Sequence, residues 1–436
     1  MLCLEVCRLV KQDVSHVAVA LIVVVDSMYI QTDSGNTYSY LRQSNTIVGG
    51  LVEESRTPWL FASLYPISSM HEVNMYVISI TEQCNLRCTY CCYSGSYSNN
   101  RTHSTKSMTT EDIDSIFTFI EEISPNRDIR IAFYGGEPLL NYTIVKYAIC
   151  EGYKLWKGNV TFSISTNGTL LTNEVIDWLV SNNVEIALSV DGTEQYHDLC
   201  RKDINGGGSF MRVRKALSYI KDHYVDYFYN VVTIMTLPSF KDIDKIAEAW
   251  HNDPLLRRLT PVKISGLSPN FNVGIEKKRY EDIKGFYSHL LDTYQQHQDW
   301  NVLKVFLNQC IVYWKDRPIL VPTGPAPMPT CLPVNTRLYI DSKMQIGVCE
   351  KISDMYRIGC IKDGIDWGKV NAIVRSYYDK RVERCKYCSA VRMCDMCLTA
   401  VEYTDEQWDI LCHNEREYAR LYMYLYCEMA ERGLIE

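Results

Sequence analysis

Ile80-Thr81-Glu82-Gln83-Cys84-Asn85-Leu86-Arg87-Cys88-Thr89-Tyr90-Cys91 is the stretch on which the reading of this chain turns. It follows directly on a β-rich run, and its cysteines are spaced C-x3-C-x2-C. Thiolate sulfur is the usual protein ligand of iron–sulfur clusters. Three thiolates on one short loop can hold three irons of a [4Fe–4S] cube and leave the fourth iron without a protein ligand. Like the open position of a catalytic metal site, that iron can bind a substrate. The carboxyl end of a strand is also where βα barrels carry their chemistry. Taken alone, the three cysteines are compatible with zinc.

Outward from the loop, the pattern between about 71 and 270 alternates. β-rich runs fall at 73–80, 129–133, 160–165, 184–190, 229–235 and 261–265, with helix-like segments at 109–122, 172–181, 209–221 and 240–250. Thr109 and Thr172 stand where helices begin, each followed by acidic residues in the first turn. Strands alternating with helices predict parallel βα units, and six of them make an open α/β barrel rather than a closed eight-stranded one. Residues 1–70 read as a separate small unit. Its apolar run Val17–Val25 is too short to span a bilayer and suggests a buried strand, while Met28–Thr32 and Thr37–Leu41 flank a turn and read as a β-hairpin. This unit is either a cap on the main domain or a peptide-docking module. Residues 276–315 read as one or two helices, Pro318 to Pro333 as a break, and Glu415–Glu431 as a packing helix.

The chain has 436 residues, enough for two or three domains, and 47% of them are hydrophobic. A net charge of −7 without a basic stripe argues against a nucleic-acid binder. Eighteen cysteines are the anomaly. The start lacks a clean signal-peptide pattern, so a cytoplasmic location with no membrane anchor is expected. In that reducing setting clustered cysteines point to metal rather than disulfides.

Three further motifs close strands of the barrel. In Tyr134-Gly135-Gly136-Glu137-Pro138 the glycines let the backbone approach a ligand closely, and the proline can open a helix. Ser165-Thr166-Asn167-Gly168 is by itself an ordinary turn. Ser189-Val190-Asp191-Gly192 is followed by His197-Asp198 and Arg201, and an arginine can clasp a carboxylate. The glycines at 206–208 lack phosphate-loop spacing. Late in the chain Cys385, Cys388, Cys394, Cys397 and Cys412 form a strong metal signature, with Cys331 and Cys349 ahead of it. These knuckles could hold zinc, and bound metal would stabilise a region with few long periodic segments.

Together these motifs, over roughly 73–412, resemble the radical S-adenosylmethionine (SAM) superfamily, in its branch of sulfatase and peptide maturases with a SPASM extension. The resemblance implies a partial (β/α)6 TIM barrel at 71–270, a helical linker at 271–325 and a Cys-rich SPASM domain at 326–436, with residues 1–70 as a small N-terminal extension. It implies that Cys84, Cys88 and Cys91 hold the cluster whose open iron chelates SAM. It implies that Tyr90, Gly135, Gly136, Glu137, Ser189 and Arg201 contribute to the SAM site, with Gly-Gly-Glu-Pro contacting the amino group. One electron then breaks the sulfonium bond, and the 5′-deoxyadenosyl radical takes a hydrogen atom from the substrate.

By order along the chain, Cys385, Cys388, Cys394 and Cys412 correspond to the ligands of one auxiliary [4Fe–4S] cluster. Cys331, Cys349 and Cys397 correspond to those of another. Cys310 is a candidate fourth ligand there, unless that corner stays open for a substrate thiolate. In its cysteines the match departs from the family in two places. Two residues rather than three separate Cys394 from Cys397, and no early cysteine stands close to Cys331. Glu350 occupies the place of an Asp proposed to accept a proton in sulfatase maturases. The expected function is oxidative modification of a ribosomally made, possibly Cys-rich, precursor peptide, forming a thioether or carbon–carbon crosslink. The expected electron donor is of flavodoxin or ferredoxin type. The alternatives are formylglycine formation in a sulfatase and a non-catalytic zinc-knuckle binding protein.

Overall fold

A computed structural model describes residues 28–435 except 54–57, 64–65, 69–72, 98–100, 125–127, 268–274, 318–327, 329 and 353. The expected strand at 17–25 and most of the Pro-rich break lie outside the described residues. The hairpin is present as β1 (Met28–Gln31) and β2 (Thr37–Leu41), with an additional strand β3 (Thr46–Gly49) completing a small antiparallel sheet.

The main sheet begins with β4 (Met75–Thr81), buried along nearly its whole length. Helix α1 (Thr110–Ile123) follows, opened by a capping box between Thr109 and Asp112. The alternation continues through β5 (Ile129–Gly135), α2 (Tyr142–Trp156), β6 (Val160–Thr166), α3 (Asn173–Ser181) and β7 (Glu185–Ser189). Then come the short α4 (Glu194–Cys200), α5 (Phe210–His223), α6 (Val225–Phe228), β8 (Val232–Thr236), α7 (Ile243–Asn252) and β9 (Pro261–Ser265). β4 to β9 pair in parallel and in chain order. The expected six-unit open barrel is borne out. Its core is apolar in the manner of a sheet covered by helices, with Ile78, Ile164, Ile186 and Leu188 fully buried.

Two helices, α8 (Tyr280–Gln296) and α9 (Asn301–Lys315), fill the 276–315 region. The chain then returns to the barrel. β10 (Arg337–Ile340) pairs in parallel with β4, on the edge opposite β9. The antiparallel strands β11 (Gln345–Gly347), β12 (Arg357–Cys360) and β13 (Gly364–Ile365) extend the same sheet to ten strands.

Helix α10 (Trp367–Cys385) is a long segment in a region expected to hold few of them. Its buried face includes Arg381 among Val370, Val374, Tyr377 and Tyr378, so the apolar period is broken by a charge. α11 (Asp405–Glu431) starts ten residues before the expected helix, at a capping box between Thr404 and Gln407, and carries Cys412. Its residues Leu421 and Leu425 are fully buried, as a packing stripe requires. The N-terminal sheet rests on α11, where Glu431 accepts hydrogen bonds from Tyr38, Ser34 and Asn36.

Candidate active site

Cys84, Cys88 and Cys91 leave the end of β4 and line one cavity of about 300 Å³ at the carboxyl ends of the barrel strands. Backbone hydrogen bonds pin their loop from both sides. Glu82 donates to Lys106 O (2.9 Å), Arg87 to Lys202 O (2.7 Å) and Thr89 to Cys200 O (3.1 Å). Burial pushes the Cys84 thiol up to about 12 and that of Cys88 to about 11. A hydrogen bond with Cys92, and then burial, raises Cys91 as well. Three thiols so buried resist ionisation unless a cationic centre compensates them. An iron–sulfide cube supplies such compensation, and backbone amides of Leu86 and Tyr93 already point at the sulfurs of Cys84 and Cys91, each at 3.4 Å. Among the described residues no three His, Cys, Asp or Glu side chains are gathered closely enough to share a single metal ion. Thiols that grip separate corners of a cube need not be. The donor set fits the cluster.

The glycines of the second motif serve this loop. A side chain on Gly136 would place its Cβ 2.1 Å from Gln83 O, and one on Gly135 would lie 2.2 Å from Thr81 O. Through that close approach Gly136 N donates to Thr81 O (2.8 Å) and Glu137 N to Gln83 O (2.7 Å). The Glu137 side chain is fully buried and accepts from Thr166 Oγ1, Asn167 N and Leu139 N. Burial raises its carboxyl to about 7 against the pull of these donors. Asn167 in turn reaches Asn85 (2.9 Å) and the sulfur of Cys84 (3.8 Å). The third-strand turn is thus tied to the cluster loop through a residue that turn chemistry alone did not single out.

The fourth motif forms one hydrogen-bonded unit centred on Asp191. Its carboxylate accepts from Tyr90 Oη, from Arg201 Nε (2.7 Å) and from Thr236 N (2.8 Å). The Arg201 guanidinium lies 5.4 Å from the Tyr90 ring centroid. Burial opposes the Arg201 charge, but Asp191 beside it holds its pKa above the usual value. His197 accepts from Asp191 N at Nδ1 and meets Ser209 Oγ at Nε2, and Ser209 donates to Arg201 O. Burial, with Arg201 nearby, lowers His197 to about 4 and keeps it neutral. Asp198 binds the backbone amides of Ser209 and Phe210, which explains why the glycine run leads into a helix there. Ser189 and Arg201 both line the cavity.

Glu350 lines the same cavity, as do Arg337 and Lys351. Its carboxylate is held by Arg337 and stands 3.5 Å from the Cys349 sulfur. Arg101, absent from the motifs, donates to Glu350 O (2.8 Å) and Ile352 O (3.2 Å) while stacking on Tyr93, 4.5 Å from its centroid. It joins the cluster loop to the Cys349 turn. Cys331 is exposed and lies within electrostatic reach of Cys349. Leu398, next to Cys397, is bonded to Thr330, next to Cys331. Cys388 and Cys412 lie within electrostatic reach of Cys385, and Cys394 accepts from the buried Arg381 at 3.4 Å. Cys310 is buried on α9 with Tyr422 and Tyr287 as its neighbours among the described residues.

Residues 78–249 match the family model of the radical SAM superfamily, whose members use a [4Fe–4S] cluster with SAM. The cysteine-type anaerobic sulfatase-maturating enzyme of Clostridium novyi (strain NT) is 30% identical over 182 residues, covering 41% of this chain and 47% of that protein. Its counterpart in Clostridium perfringens (strain 13) is 24% identical over 377 residues, covering 80% and 96%. A radical SAM cyclopropyl synthase of Paramaledivibacter caminithermalis is 26% identical over 215 residues, covering 44% and 45%. The chain spans about half the length of most of these curated relatives. A solved structure of native anSMEcpe with bound AdoMet superposes with a TM-score of 0.61 at 19% identity, over 83% of this chain and all of that one. Among the described residues no helix is long and apolar enough to cross a membrane.

Proposed function

Starting from the match of residues 78–249 to the radical SAM superfamily, we propose that this chain is a maturase of the sulfatase-maturase and SPASM branch that oxidatively matures a ribosomally made peptide, closing a thioether from a peptide cysteine. The observation that carries this reading is the single cavity onto which the three cluster cysteines, Arg201 and Glu350 all open. When bound, the iron–sulfur groups supply the electron that cleaves SAM and take up the one returned by the oxidised peptide.

The chain's own residues do the rest. Cys84, Cys88 and Cys91 grip the catalytic cluster. Ser189 and Arg201 offer a hydroxyl and a cation to the SAM carboxylate, with Asp191 fixing the arginine. Gly135, Gly136 and Glu137 set the wall on which the SAM amino group rests. Glu350, held in place by Arg337, takes the proton of the peptide thiol. Cys331, Cys349 and Cys397 would hold an auxiliary centre, with Cys310 engaged by tyrosines instead, and that centre would supply a binding point for the thiolate. Cys385, Cys388, Cys394 and Cys412 would hold the second. An external donor of flavodoxin or ferredoxin type supplies electrons.

A second reading, formylglycine formation in a sulfatase, is favoured by the names of the relatives. The two separate by product. Anaerobically reconstituted protein with SAM, a reductant and a short Cys-containing precursor peptide should remove two hydrogens and retain the sulfur. Aldehyde formation in a sulfatase peptide, with no change in the precursor, would replace the first reading by the second.

A further inference from the structure

Trp59 belongs to the N-terminal part of the chain, yet it packs on Cys385 and Val391, with Phe61 and Cys388 beside it. Its backbone amide donates to Lys386 O at 2.9 Å, so the segment is keyed into the cysteine loop itself. The guanidinium groups of Arg42 and Arg392 each lie 5.4 Å from the indole, and both arginines are buried. The indole is 9% exposed, and its Nε1–H has no hydrogen-bond partner among the described residues. A buried donor left unmatched costs about 1–3 kcal/mol, and such groups in folded proteins call for an explanation. The neighbours of the ring include Cys385 and Cys388, whose sulfurs become strong acceptors once they ligate iron.

We infer that Trp59 is a positioning residue for the iron–sulfur group held by Cys385, Cys388, Cys394 and Cys412: it covers that group and donates its indole N–H to a cluster sulfur. The inference rests on the auxiliary-cluster reading above. Its consequence is that residues outside both the barrel and the cysteine-rich region set the potential of an electron acceptor. Hydrogen bonds to sulfur and exclusion of solvent are two of the levers that set such potentials, and a donor to sulfur favours the reduced, more negative state. Arg381 adds a fixed positive charge on another side, through Cys394.

The test uses the full chain, anaerobically reconstituted, with iron and sulfide analysis and a redox titration followed by electron paramagnetic resonance. Trp59→Phe keeps a ring over Cys385 and removes the N–H. It should retain wild-type iron, move one auxiliary midpoint to more negative potential and bleach faster in air. Leu60→Ala, at a neighbouring exposed side chain, should do neither. Unchanged midpoint and bleaching in an iron-replete Trp59→Phe protein overturn the inference alone. Wild-type protein holding only one cluster's worth of iron overturns the auxiliary-cluster reading and the inference with it. Wild-type protein with isotopically labelled tryptophan nitrogen should show nuclear coupling to the reduced auxiliary cluster, and its absence defeats the inference even where no variant folds.

Discussion

Arg201 Nε donates to Asp191 Oδ2 at 2.7 Å, and neither residue is more than 7% exposed. Tyr90 and the amide of Thr236 converge on the same carboxylate. Breaking a buried ion pair from one side leaves an uncompensated charge and costs about 3–5 kcal/mol. Asp191→Ala should therefore lower stability by about that amount, read by denaturant unfolding, and weaken SAM binding by freeing Arg201. Unchanged stability and affinity in that variant would remove Asp191 from the centre of the site.

His197 supplies a pH signature. Burial lowers its pKa to about 4 from the usual 6.5, so the unfolded chain takes up its proton first as pH falls. The stability tied to neutral His197 is fully present above pH 6.5 and drains away as pH drops toward 4, at up to about 1.4 kcal/mol per pH unit. His197→Gln should be less stable than wild type at neutral pH but flatter across this window. Parallel curves for the two proteins in urea titrations at stepped pH would refute the assignment.

Gly136 has no room for a methyl group, because its Cβ would meet backbone atoms of Gln83 rather than a movable side chain. Gly136→Ala should displace the cluster loop while leaving the strands paired. The expected result is loss of the iron bound by Cys84, Cys88 and Cys91, with far-ultraviolet circular dichroism close to wild type. Full iron loading in this variant counts against the close approach as the loop's support.

Cys84→Ala should bind about four fewer irons per chain and form no 5′-deoxyadenosine under reducing conditions. The equivalent change at Cys427, which is buried in the hydrophobic core, should cost stability but leave both readouts intact. Continued cleavage of SAM by the Cys84 variant would falsify the assigned role.

Much of this is legible in the sequence alone. The six barrel strands announce themselves because they are short and rich in β-branched residues, with β4 buried almost throughout and β5 to β8 at alternate positions. The C-x3-C-x2-C spacing carries its own chemistry, and the capping residues Thr109 and Thr172 mark helices that begin where expected. What stayed hidden depends on partners far away in the chain. Arg101 matters through Glu350 and Ile352, some 250 residues later, and Trp59 through Cys385. No local pattern encodes either pairing. α10 escaped because a buried Arg381 interrupts the apolar period that would have revealed it. Asp191 was visible in its motif but ranked below the serine and arginine on either side. Only the geometry shows three donors meeting on its oxygens.

The pairing of β10 with β4 has a bearing on how the protein is made. Met75, Tyr76, Val77 and Ile78 lie opposite Arg337, Leu338, Tyr339 and Ile340. During synthesis the first barrel strand therefore waits, with one row of backbone groups uncovered, until more than three quarters of the polypeptide has left the ribosome. A bare, apolar strand edge invites pairing with other molecules. Chains cut short before residue 337 should accumulate as aggregates rather than as a free barrel, and slow translation through the helical stretch ahead of β10 would lengthen the period at risk.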